Sequence, residues 1–282
     1  MSRKAAFIYD EALSHHQLRG DHPMRPVRLQ YTFDLLQSYG AFDQNNSLLV
    51  PPRPATEEEL GMLHTAEYVA AVRSFSQGLS GYEPGRFNFS AQGDNPMYRG
   101  MYDAAALSSG ASLVAAEMVA SKQVDVAFNI SGGLHHASAG HASGFCVFND
   151  PALAIKYLLE QGLRVAYLDI DAHHGNGTQD AFYRDGRVLF VSCHQWPLYP
   201  GTGALDETGD GDGLGPRRVL LHRDDGAGEQ DKISHVVSLS PGGREELQSD
   251  AIGVTETDAR AIVRFGDPAV GHPERVETLG PG

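Results

Sequence analysis

Residues 164–177 read RVAYLDIDAHHGNG, and their reading decides the fold. Val165, Ala166, Tyr167, Leu168 and Ile170 make an apolar run of strand length, and Gly175-Asn176-Gly177 supplies a turn after it. Side chains alternate along an extended chain, so Asp169, Asp171 and His173 are expected on one side as the strand ends. Asp171 and His173 offer a carboxylate oxygen and an imidazole nitrogen. That is the donor mix favoured by a catalytic divalent metal such as zinc, iron or manganese. The glycines on either side of Asn176 let backbone approach such a crowded place closely.

Working outward, residues 129–136 (NISGGLHH) repeat the theme: a strand over 124–130 runs into Gly132-Gly133 and then His135-His136. A further strand is expected over 187–193 (RVLFVSC) and another over 5–9 (AAFIY). Helices are expected over 27–38, over 101–120 despite Gly110, and over 151–161, where Pro151 suits a first helical position. Thr56 with Glu59 three residues on is a capping box that opens a helix over 56–63. Strands separated by helices predict an α/β fold, a mostly parallel sheet with helices on both faces. Functional groups then sit just beyond the carboxyl ends of the strands.

The 282 residues allow one large domain or two small ones, and 41% hydrophobic with 21% charged residues is ordinary for a globular protein. A net charge of -14 has the wrong sign for a general nucleic-acid binder and favours cationic substrates, if any charge class. No run approaches the roughly 18 apolar residues of a membrane helix. The opening MSRKAAFIYDE lacks the apolar segment of a secretion signal. Two cysteines, Cys146 and Cys193, cannot make a disulfide scaffold, so a reducing cytoplasm is expected. Neither has a base partner visible in sequence, and both read as small core residues. There is no phosphate-binding glycine fingerprint and no nucleophile elbow.

Each histidine cluster also has a plain reading. Asp169 could cap glycine-rich backbone, Asn176 is a common turn residue, and His64 near a helix end reads as structural. Convergence weighs the other way, because five of the 13 histidines (His135, His136, His141, His173, His174) fall in two strand-end loops, with carboxylates next to one of them. A carboxylate against an imidazole fixes its tautomer and raises its basicity. Those loops therefore predict a hydrolytic site combining metal and histidine. His15, His16 and His22 precede the His22-Pro23-Met24-Arg25-Pro26 segment, and His222, His235 and His272 receive no role.

At these residues the chain resembles the histone deacetylase superfamily, which includes bacterial acetoin-utilisation deacetylases and acetylpolyamine amidohydrolases. The matching pieces are HPMRPVR from His22, GDNPMYRGMYDAA from Gly93, GGLHHASAGHASGFCVFND from Gly132 and LDIDAHHGNGTQDAF from Leu168. VSCHQWPLYPGTG from Val191 and GDGDGLG from Gly209 complete them, in family order, over about three quarters of the chain.

The resemblance implies an arginase/deacetylase-like three-layer α/β fold with zinc at the base of a narrow channel. Asp171 and His173 would be two of the zinc ligands. His135 and His136 would be the catalytic imidazole pair, one oriented by Asp169 and the other by Asn176, where the family often has Asp. Gly144 and Phe145 would line the acyl-lysine channel, and Asp94 would lie in the loop that grips the substrate. Ser192, with carbonyls of Asp169, Asp171 and His173, would hold a monovalent cation such as K+. Arg28 would sit at the channel's inner end. The implied substrates are acetyl-lysine or a small acetylated amine, with no nucleic acid and no membrane as partner.

The likeness ends near Gly215. Beyond it Phe265 is the only aromatic, and stretches such as HRDDGAGEQDK and SPGGREELQSD dominate. Short apolar runs persist at 219–221 and 236–239. Residues 1–215 thus read as an incomplete deacetylase-like catalytic domain, the family's C-terminal part being lost or frameshifted, and 216–282 as a divergent, poorly ordered tail. The family's later metal-binding segment, of the form G-x-D-x-x-x-x-D-P-L, and its Gly-Gly-Tyr oxyanion segment do not occur. Gly266-Asp267-Pro268 is a fragment of the first, and no tyrosine follows Tyr199. Hence a non-catalytic protein that binds acyl-lysine or a partner is the rival expectation, and a non-functional translation product the third. Arginase-like urea hydrolysis is disfavoured because a second DxD-type metal pair is missing.

Overall fold

The computed structural model describes residues 3–16 and 18–213, together with the backbone of four strands between 218 and 265. In chain order the strands and helices are β1 (Ala5–Ile8), α1 (Val27–Ser38), β2 (Ser47–Val50), α2 (Glu57–Leu60), α3 (Ala66–Ser76) and α4 (Met101–Ala120). Then follow β3 (Val126–Asn129), α5 (Asp150–Glu160), β4 (Val165–Asp169), α6 (Asn176–Ala181) and β5 (Val188–Gln195). Last come β6 (Arg218–Arg223), β7 (Ile233–Ser240), β8 (Gly243–Glu246) and β9 (Ala261–Phe265). The short apolar runs at 219–221 and 236–239 fall inside β6 and β7. The expected boundary at Gly215 and the Gly266-Asp267-Pro268 fragment lie outside the described residues.

The α/β expectation holds, with a detail that sequence did not show. Among the described residues the strands form two ladders, β2-β1-β3 and β8-β7-β6-β5-β4-β9. Pairing is parallel through β1, β2 and β3 and through β9, β4, β5 and β6; β7 and β8 run antiparallel. The two strands that enter the site, β3 and β4, belong to different ladders. Helices α4 and α5 span the gap by packing on each other and on both ladders.

Local chemistry accounts for the helices. The Thr56 hydroxyl accepts from Glu59 N while the Glu59 carboxylate accepts from Thr56 N, so the capping box is formed, although α2 stops at Leu60. Helix α3, which the sequence reading left out, is opened by Thr65, whose hydroxyl accepts from Tyr68 N. Its buried Tyr68, Val72 and Phe75 pack with Phe87, Phe89, Met101 and Phe148. Gly110 in α4 is explained by close approach: a side chain there would collide with the carbonyl oxygen of Arg53, beside the bond from Ala55 N to Ala106 O. A second core of Ile155, Leu158 and Leu159 from α5 continues onto Tyr167, Val188 and Phe190 of β4 and β5. Burial of this apolar surface is what fixes β4, and with it the residues that follow, against α5.

Candidate active site

Strand β4 ends at Asp169, so the alternation expected through His173 stops two residues before the first donor, Asp171. Asp169 N-terminal to the turn is 1% exposed, and its Oδ1 accepts from Asp171 N at 3.1 Å. The chain then folds back so that Asp171 Oδ1 accepts from His173 N at 2.7 Å and lies 3.0 Å from His173 Nδ1. A turn, not strand alternation, therefore brings the two expected metal donors together. The carboxylate oxygen and the ring nitrogen lie within hydrogen-bond distance of each other, and their chemistry suits a divalent ion with mixed oxygen and nitrogen ligands. Among the described residues no group of three or more His, Cys, Asp or Glu side chains is arranged around a metal position. The chemistry of these two donors fits the ion, and among the described residues no third joins them.

The imidazole pair is built from the other side. His135 Nδ1 donates to Asp169 Oδ2 at 2.7 Å, and Tyr167 OH donates to the same oxygen at 2.7 Å. His136 Nδ1 donates to Asn176 Oδ1 at 2.8 Å, as the amide's position at the start of α6 allows. The two Nε2 atoms face each other at 3.2 Å. Burial works against protonating His135, yet the charge of Asp169, its hydrogen bond, and the charges of Asp171 and Asp150 outweigh it, so its pKa is raised. For His136 burial and then the neighbouring His135 charge act together and push the pKa down to about 3. Asp169 is buried too, but His135 and Tyr167 overcome that cost and hold it ionised, its pKa lowered. Next to a charged partner, His136 is thus neutral, with its proton on Nδ1 and the lone pair on Nε2.

Around the pair, Gly144 and Phe145 both have left-handed backbone, at φ 48° and 69°. A side chain at Gly144 would run into the His136 ring. Phe145 stands edge-on to His22 at 4.6 Å, and its N–H donates to Asn95 Oδ1. Asp94 is exposed, with its carbonyl bonded to His22 Nε2 at 3.1 Å. Arg28 lines a cavity of about 60 Å³ with His16, Tyr98, Ser131, Leu134 and Phe145, and its Nη1 is buried without a hydrogen-bond partner among the described residues. Ser192 is fully buried beside Asp169 in the β4–β5 register and bonds His194 Nδ1.

The five-histidine convergence is narrower than expected. His174 turns away into a buried network with Thr202 and Gln179, and exposed His141 bonds Ser138. His64 is structural, as expected: its Nε2 accepts from Asn149 N. Tyr199 was missed. Its ring stands 5.1 Å from that of His136 and 6.1 Å from that of His173, and its hydroxyl bonds Ser143 Oγ at 2.7 Å. It walls the site between the two halves, and no local pattern around it carries that information.

Known proteins are similar to this chain over most of its length. The histone deacetylase domain matches residues 22–248, which reaches past Gly215. The acetoin utilization protein AcuC of Bacillus subtilis is 41% identical over 216 residues, 76% of this chain and 55% of that protein. Human histone deacetylase 1 is 38% identical over 75% of this chain and 44% of its own length. The chain therefore spans about half the length of these relatives. The crystal structure of an HDAC homolog from Aquifex aeolicus superposes with TM-score 0.71 at 31% identity, covering 78% of this chain and 59% of that one. A structure of an HDAC homolog complexed with SAHA gives TM-score 0.71 at 30% identity, over 79% and 60% of the two chains. With the histone deacetylase domain matched over residues 22–248, most of the chain, this chain belongs to the histone deacetylase family.

Proposed function

We propose that the site hydrolyses acetylated amines, acetyl-lysine among them, with zinc held by Asp171 and His173. The observation that carries this reading is the His135–His136 pair, with Nε2 atoms 3.2 Å apart, anchored by Asp169 and Asn176 beside those two donors. Zinc, when bound there, supplies Lewis-acid polarisation of the amide carbonyl. His136 takes a proton from the attacking water at Nε2, since its Nδ1–H is committed to Asn176. His135, kept charged by Asp169, offers its Nε2–H to the same place and assists protonation of the leaving nitrogen. A C–O bond forms, the C–N bond breaks, and acetate and a free amine leave. In this reading Gly144, Phe145 and Tyr199 exclude water from the acyl chain, Asp94 accepts a substrate N–H, and Arg28, whose Nη1 has no partner among the described residues, holds the carboxylate product.

The burial of Ser192 beside Asp169 supports a structural K+ at Ser192 with the carbonyls of Asp169, Asp171 and His173. Cys146, buried as a thiol, supports a cytoplasmic setting; no helix among the described residues is long and apolar enough to cross a membrane. We also retain residues 1–215 as the catalytic unit.

A second reading is binding of acyl-lysine without turnover. It is favoured by the two-donor metal position among the described residues. Acetate release from an acetyl-lysine peptide by the zinc-supplemented full chain separates the two. Release that disappears in His136→Ala is the expected result. Saturable peptide binding with no acetate would overturn hydrolysis in favour of the second reading.

A further inference from the structure

We propose that Asp150, which no part of the hydrolytic scheme uses, is the positioning residue that sets the His135–His136 pair from behind. This rests on the hydrolytic reading for its consequence in catalysis, not for its geometry. Asp150 is the first residue of α5 and is fully buried. Its carboxylate does not cap that helix, because Asn149 already does so by accepting from Ala152 N at 2.9 Å. Instead Asp150 reaches across to the loop that delivers the histidines. Oδ1 accepts from Leu134 N at 2.8 Å, and Oδ2 accepts from Gly133 N at 3.2 Å and Ser112 Oγ at 2.5 Å.

The loop is shaped around that carboxylate. A side chain at Gly132 would lie 2.5 Å from Asp150 Oδ2 and 3.1 Å from Ser112 Oγ. On the far side of the histidines, Asn149 Nδ2 donates to His135 O at 3.2 Å and Ala137 O at 2.9 Å. Two consecutive residues of one helix terminus thus grip the chain before and after the pair. Leu134 N before the pair and Ala137 O after it are the handles, with His135 O held between them, and no contact of Asp150 with either ring is needed. Burial pushes the Asp150 carboxyl up to about 6, against the pull of Ser112 and the N–H groups of Leu134 and Gly133. So costly a buried charge is retained where it organises something specific.

The test reads histidine side-chain NMR of the full chain, in which the His135 Nδ1 proton shared with Asp169 is expected far downfield. In Asp150→Asn the side chain keeps its shape but presents an amide N–H₂ toward an N–H or hydroxyl donor, and the downfield proton is expected to vanish or move upfield. Ser112→Ala leaves the carboxylate and removes one of its three partners, so the same proton is expected to move in the same direction by less. If Asp150→Asn does not fold, Ser112→Ala decides alone. A downfield proton unmoved in every variant that keeps the wild-type circular dichroism overturns the role.

Where the wild type releases acetate, Asp150→Asn is expected to lower kcat by about 10-fold with KM within about 2-fold. A change confined to KM would also overturn it. A wild type that releases none defeats the hydrolytic reading while the resonance still settles the positioning role.

Discussion

The two halves of the site are held by very different amounts of protein. His135 and His136 are each 5% exposed, and each has a fixed polar partner drawn from a distant part of the chain. The loop carrying them is bonded to α5 by both Asn149 and Asp150. Asp171 and His173 are bonded to each other, and the His173 side chain is 40% exposed. The imidazole half is thus preorganised by the fold itself. The donor half has its geometry from one short turn. Preorganised dipoles and hydrogen bonds carry much of catalysis, so damage to the first half falls directly on rate. Damage to the second half falls on ion affinity.

The sharpest way to break this contrast is His136→Ala, which removes the neutral base; acetate release should fall by about 10²–10⁴-fold with zinc affinity little changed. Gly144→Ala forces a side chain against the His136 ring at a left-handed backbone position. We expect turnover down by about 10–100-fold, and a stability loss of about 1–3 kcal/mol by urea unfolding.

Acid should loosen the imidazole half through His64, whose Nε2 supports Asn149 and whose pKa burial lowers to about 4. Between about pH 6.5 and 4 the unfolded chain binds a proton at His64 that the folded one refuses, so this contribution to stability is lost as pH falls. Relative to its own value at pH 7.5, His64→Gln should lose up to about 3 kcal/mol less than wild type at pH 4, read from urea midpoints. Parallel pH curves for the two proteins would refute the assignment.

For the donor half, zinc at 100 times its dissociation constant should stabilise the chain by about 2.7 kcal/mol, a Tm rise of some degrees. Asp171→Ala should abolish that rise while sparing the His135–Asp169 resonance. A rise that survives the substitution would place the ion elsewhere.

Much of this was legible in the chain. Helices α1 and α4 fall on the expected residues because their apolar spacing and flanking breakers are local signals. Asp169, Asp171, His173, His135, His136 and Asn176 stood out because chemistry-bearing residues clustered at strand ends. The missed helix α3 is capped by a lone Thr65, and its apolar face shows only when the core that covers it is known. Tyr199 and Asp150 were equally silent, since a tyrosine near prolines and an aspartate at a helix start are commonplace.

The sequence by itself therefore determined the family, the α/β alternation and which residue types could do chemistry, because these depend on composition, period and order along the chain. Only the tertiary structure decided pairing: Asp169 with His135, Asn176 with His136, Asp150 with the loop before them, and His174 and His141 with partners outside the site. The physical reason is that a hydrogen bond between residues 16, 34 or 40 positions apart is fixed by how α5, α6 and the strands pack. No local propensity encodes that packing.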